Sequence, residues 1–187
     1  MGFLDFLLGV RNLPVANVDK LFSISTAAVT MEDKIGAKPT GRSGICFKTF
    51  ESKGFEEVKS DIIQILKSNE FGMRSRVVSD EYGYTWIVLE GRDLEDIVTG
   101  IHIVSQLLID AGYEQYILCA VFEFSRKNQI IYWIYNYKRG KFYPFIPREK
   151  EQSRDMRSEF GLKTLVSDEM PVDDVIEYWY PIWGVPF

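Results

Sequence analysis

Residues 115–124 and 129–137 read as neighbouring β-strands that are apolar at both parities, and this pattern constrains the fold more than any other. Trp133, Tyr135 and Tyr137 fall on one face of the second strand, and Ile130, Tyr132 and Ile134 on the other. Side chains alternate across a strand, so a hairpin of this kind must be covered on both faces. Amphipathic helices supply one cover. Phe55, Val58, Ile62, Ile65 and Leu66 recur at helical spacing from Gly54 to about Ser68, and Leu94, Ile97, Val98, Ile101, Val104, Leu108 and Ala111 do so between Asp93 and Gly112. The second cover is either another subunit or the C-terminal stretch. Large rings are costly to leave in water, so Trp179, Trp183 and Phe187 are expected to dock on the sheet.

The remaining segments fill in an α+β order. Residues 44–50 read as a strand, and 73–79 and 84–90 as an antiparallel pair joined through turn residues 80–83. Nearer the start, Asn17 is expected to cap a short helix through Phe22, followed by a short strand over 25–30, a segment stopping at Gly36 and a turn over 38–41. Residues 148–159, rich in both charges, suggest a solvated surface helix, and the chain closes with a short acidic helix and an aromatic tail. These readings predict a single α+β domain over 17–187, with a mainly antiparallel sheet and helices packed on one side. An apolar segment and linker at 1–16 precede it. The element order is analogous to secretion-chaperone-like folds, an analogy of fold alone.

With 187 residues and 46% hydrophobic content the chain can build one compact core. Its 27 acidic and 22 basic residues give a net charge of −5, which opposes the attraction to phosphate that nucleic-acid binders exploit. Cys46 and Cys119 lie far apart in apolar surroundings with no CxxC spacing, and read as two buried thiols of a reducing compartment rather than a disulfide or metal site. No apolar run reaches the length of a spanning helix, and no secretory signal is visible. A cytoplasmic protein is expected, with peripheral contact at the inner membrane surface as an option.

Few residues suggest chemistry. His102, the single histidine, sits beside the apolar stripe of the 93–112 helix, with no nucleophile or HExxH pattern to support a catalytic role. Asp80, Glu81, Asp93, Glu95 and Asp96 are better explained as turn and cap residues than as metal ligands. No glycine-rich phosphate loop occurs, so neither a nucleotide cofactor nor a metal is expected. Tyr82-Gly-Tyr-Thr-Trp86 places three rings about a glycine and is read first as sheet core. Its alternative is a pocket of a small-ligand sensor or enzyme built from Tyr82, Tyr84, Trp86 and His102. Residues 135–145 combine five aromatics with three cations, Lys138, Arg139 and Lys141, at a turn where an acidic partner or lipid headgroup would find charge. At the start of the chain Phe3, Leu4, Phe6, Leu7 and Leu8 form an apolar segment that either docks on its own body or enters a partner's groove or a membrane surface.

Several motifs in order resemble one family along the whole length: Met1-Gly-Phe-Leu-Asp-Phe-Leu-Leu-Gly9, Ala27-Ala-Val-Thr30 with Pro39-Thr-Gly41, Val78 to Trp86, Tyr137-Lys-Arg-Gly-Lys-Phe-Tyr-Pro-Phe145 and Trp179-Tyr-Pro-Ile-Trp-Gly184. The chain is similar to the PspA-associated protein PspAB family of archaea and actinobacteria, and its Lys, Glu and Ile usage suits an archaeal member. The resemblance implies an accessory protein linked with PspA, the coiled-coil phage-shock protein that protects stressed membranes. It implies no reaction and transfers no catalytic residue. The expectation is therefore a non-enzymatic protein that binds a PspA-like helical partner or a membrane surface through Phe3, Leu4, Phe6, Leu7, Leu8, Lys138, Arg139 and Lys141. A homodimer paired through the two-sided hairpin is a further reading.

Overall fold

The computed structural model describes residues 18–49, 52–67, 73–148 and 152–187. The apolar segment at 1–16 and the Asn17 cap lie outside the described residues. After a short 3-10 turn, Val18–Phe22, helix α1 spans Ser23–Ile35. The strand expected over 25–30 is instead the middle of this helix. Its hydroxyl and β-branched residues suggested a strand, yet Val29 points to solvent while Ile24, Ala27, Ala28 and Met31 make a buried stripe at helical spacing. Gly36 provides the anticipated stop, taking the left-handed conformation at φ +67° and donating its N–H to Glu32.

Strand β1, Lys38–Lys48, begins where a turn over 38–41 was expected. Its ladder with β4 shifts register between Pro39 and Ser43, so the turn-forming residues are absorbed as a bulge. Gly41 sits there at φ +83°, where an added Cβ would stand 2.2 Å from the carbonyl oxygen of Gly91; no larger residue fits. Helix α2, Lys53–Lys67, strands β2, Arg74–Ser79, and β3, Tyr84–Glu90, and helix α3, Leu94–Asp110, follow the expected pattern. Asp93 caps α3 by accepting from the Glu95 N–H, as its position before the apolar stripe suggests.

Strands β4, Ile117–Arg126, β5, Gln129–Asn136, and β6, Lys141–Phe145, complete a six-stranded antiparallel sheet in the order β2-β3-β1-β4-β5-β6. A two-residue pair, β7, Pro147–Arg148, and β8, Ser153–Arg154, then leads into helix α4, Met156–Val166. Of the solvated helix expected over 148–159, the described residues 148 and 153–154 are instead strand, and the helix begins only at Met156. Glu159 is fully buried rather than solvated, accepting from Arg154 and from the Ile146 N–H.

Cross-strand partners share a face, which assigns the two sides of the sheet. Phe47, Ile87, Leu89, Ala120, Phe122, Trp133 and Tyr135 face the helical layer. Phe47 meets Phe55 of α2 edge-on, Trp133 donates its indole N–H to Met31 of α1, and Tyr137, just beyond β5, shares a buried hydrogen bond with Ser105 of α3. Gly100 of α3 permits the close approach: a Cβ there would lie 2.9 Å from Leu89 and 2.8 Å from Met73. The opposite face carries Cys46, Trp86, Cys119, Ile134, Tyr132, Tyr143 and Phe145, and the C-terminal tail covers it.

The tail starts on the free edge of β6, where Phe142 exchanges backbone hydrogen bonds with Pro171 and Asp173. It then crosses the sheet. Trp179 stacks on Tyr143, Trp183 meets Phe145 edge-on at 5.0 Å, Phe187 lies between Trp86 and Tyr132, and the Pro186 carbonyl accepts from Arg76 of β2. Docking of Trp179, Trp183 and Phe187 is therefore as the sequence predicts, and the strap reaches from one edge strand to the other. The acidic stretch before it forms only a single 3-10 turn, Ile176–Tyr178.

Candidate functional site

Where the strap lifts away from the sheet, a half-open cavity of about 810 Å³ remains between them. Its floor comes from the strand ends: Cys46 of β1, Trp86 of β3, Leu118 and Cys119 of β4, Asn136 of β5 and Tyr143 of β6. The strap residues Tyr178, Tyr180, Pro181, Ile182 and Trp183 form the opposite wall, and the β2–β3 and β5–β6 turns supply Tyr82, Lys138 and Arg139 at the mouth.

Short-range hydrogen bonds fix this frame. Asp80, at the β2–β3 turn, accepts from the Tyr82 and Tyr84 N–H groups at 2.9 Å and from the Trp86 indole at 2.8 Å. One carboxylate thus shapes the turn and locks a floor ring, which is the turn role expected of it. Tyr143 donates its hydroxyl to the Tyr180 carbonyl at 3.0 Å, tying floor to strap. Burial, and then the proximity of Cys119, holds the Tyr143 hydroxyl well above the usual phenol range, so it stays protonated as a donor.

Charge anchors the strap from behind. Asp173, almost fully buried, receives two hydrogen bonds from Arg139, whose guanidinium lies 3.8 Å over the Tyr178 ring. Burial draws the Asp173 carboxyl upward, but the Arg139 hydrogen bond, the Val175 N–H and the nearby positive charge outweigh it and leave it below the ordinary Asp range. Arg154 ties a second point, donating to Glu159, to the Trp179 carbonyl at 2.5 Å and to the Pro144 carbonyl at 3.2 Å.

The predicted contact residues separate on this scaffold. Arg139 is engaged with Asp173, and Lys141 lies 3.7 Å from Asp174. Lys138 is exposed, and among the described residues it makes no ion pair. Phe3, Leu4, Phe6, Leu7 and Leu8 lie outside the described residues. The ring motif, read first as core, is core only in Trp86; Tyr82 is 62% exposed, and Tyr82, Tyr84 and Trp86 all line the cavity. His102 does not join them. It belongs to α3 on the opposite face of the sheet and packs against Phe22 at 5.2 Å, because helical spacing sets it beside the stripe that faces the strands. The pocket imagined from Tyr82, Tyr84, Trp86 and His102 therefore forms without its histidine. The sequence foresees Trp183 docking on the sheet and two buried thiols, but not that the strap path and the β1–β4 register gather them around one cavity.

Among the described residues no group of three or more His, Cys, Asp or Glu side chains could hold a metal ion, and no helix is long and apolar enough to cross a membrane. Fold and site together define an α+β protein whose sheet carries helices on one face and a strapped aromatic cavity on the other. The chain belongs to the PspA associated protein B family, whose family model matches residues 1–187, the whole chain. No curated protein and no solved structure matches it.

Proposed function

We propose that the chain is a non-enzymatic accessory protein of a PspA-type membrane-stress response that binds a PspA-like helical partner at the cavity mouth. Membership of a PspA-associated family supports the partner, and the observation that carries the surface is the mouth itself. Tyr82 and Tyr180, 62% and 56% exposed, flank an open apolar space beside Lys138, which makes no ion pair among the described residues. Exposed rings with an adjacent cation are the chemistry of binding hot spots, and an amphipathic helix presents apolar and acidic side chains at matching intervals. Arg139 and Lys141 act indirectly in this reading, holding the strap that forms the wall. Phe3, Leu4, Phe6, Leu7 and Leu8 provide the second contact.

The test is co-purification and titration of the full chain with the PspA-like protein, comparing wild type with Tyr82→Ala and Lys138→Glu combined. Loss of a tyrosine anchor together with charge reversal is expected to weaken binding by more than about tenfold, the equivalent of about 1.4 kcal/mol. Equal affinity of the two proteins overturns the proposed surface. Binding to anionic vesicles with none to the helical protein transfers the role to the membrane. A second reading is favoured by volume: about 810 Å³ is suited to a small ligand, which makes a non-catalytic ligand sensor the alternative use of the same cavity.

A further inference from the structure

The partner-binding reading makes no use of two thiols on the cavity floor. Cys46 of β1 and Cys119 of β4 are direct partners across the antiparallel ladder, both are unbridged, and both line the cavity. Residues opposed in such a ladder have Cα atoms about 4.5–5.5 Å apart. A disulfide requires about 4.4–6.8 Å.

The local backbone favours access to the pair. Cys46 faces Cys119 but Phe47 faces Ile117, which leaves Leu118 as the additional residue of a bulge. Consecutive residues of a regular strand point to opposite faces, yet Leu118 and Cys119 both line the cavity. The bulge thus turns this stretch toward a space open to solvent.

We propose that Cys46 and Cys119 form a redox-active dithiol that reacts with small disulfides and closes to a cross-strand disulfide. The Cys119 thiolate attacks one sulfur of the small disulfide, breaks its S–S bond and forms a mixed disulfide; the expelled thiolate takes up the proton that Cys119 gave up. The Cys46 sulfur then attacks Cys119, its proton leaving with the second expelled thiol. One disulfide is reduced to two thiols, and the pair loses two electrons and two protons. The order of attack follows from access: the bulge beside Cys119 turns it toward the open cavity, and Cys119 is 8% exposed against 4% for Cys46. Trp86 is the β3 partner of Cys46, so closure of the bridge is read by its fluorescence.

The test uses the full chain with oxidised glutathione, followed by intact mass, free-thiol titration and tryptophan emission. The expected product is a monomer lighter by two hydrogens, with no retained glutathione and a changed emission. Cys46→Ser should retain one glutathione on Cys119, and Cys119→Ser should react roughly tenfold more slowly. Stable adducts on both cysteines of the wild type, disulfide-linked dimers, or thiols that remain unoxidised in the folded chain while the urea-unfolded chain is oxidised would each overturn the proposal. If the serine variants fail to fold, phenylarsine oxide on the wild type replaces them: one phenylarsenic group bridging both thiols supports the pair, and two separate adducts or none overturn it. No partner is needed in any arm, so the outcome is independent of the PspA-binding reading.

Discussion

Gly44 occupies a strand position where any side chain would collide with the strap. A Cβ there would lie 2.8 Å from the Phe187 ring and 3.3 Å from Trp86. Replacing glycine in a strand normally returns about 0.5–1 kcal/mol of backbone entropy. Overpacking a filled site costs about 1–3 kcal/mol, so the clash wins. Gly44→Val should therefore lower the unfolding free energy by about 1–2 kcal/mol and redshift tryptophan emission as Phe187 lifts from Trp86; unchanged denaturation and emission would show that the contact contributes nothing. A glycine at this position carries no such message in the sequence. Its meaning depends on strand register and on a residue at the far end of the chain. The same holds for Cys46 and Cys119, which local composition marks as buried thiols but only the β1–β4 ladder makes neighbours. Asp80 differs, because its partners lie within six residues and its turn role is legible.

Among the elements, α2 and α3 are legible because their apolar stripes recur at one period over more than three turns. Helix α1 is misread over 25–30, where small residues weaken the stripe and β-branched ones occupy its solvent side. The pair of buried Glu159 and partly buried Arg154 hides within a charged run for a related reason: charge in a sequence signals solvent until a partner is seen. The strap is anticipated as aromatic cover, but its path is not, since the Asp173 contact that aims it joins residues distant in sequence. That contact gives a pH prediction. The Asp173 carboxyl is held below its ordinary value of 3.8, so its contribution is present above that value and is lost as pH falls through the lower folded value. Acidification below about pH 4 should release the strap ahead of the sheet, seen as a change in Trp179 and Trp183 emission before loss of far-ultraviolet dichroism. Asp173→Asn should remove that early step, and its persistence in the variant would assign it to another group.

At the scale of the molecule, the two-sided hairpin, for which the sequence offers either the C-terminal stretch or a second subunit as cover, is covered by the C-terminal stretch of the same chain. Trp133 and Tyr135 are covered by helices, and Tyr132 and Ile134 belong to the strapped face; all four are buried. A stable dimer would need another apolar surface, so light scattering is expected to give the mass of one chain across a wide concentration range; a rise to twice that mass would return the homodimer to consideration. Cover by one continuous strap also orders events in time. Tyr178 and residues 180–183 build the cavity wall, yet they follow every described strand and α-helix in the sequence. Contacts this distant along the chain form late, after the strands have met. During synthesis the sheet would present a bare aromatic face until residues 171–187 have left the ribosome, the stage at which chaperones have most to protect.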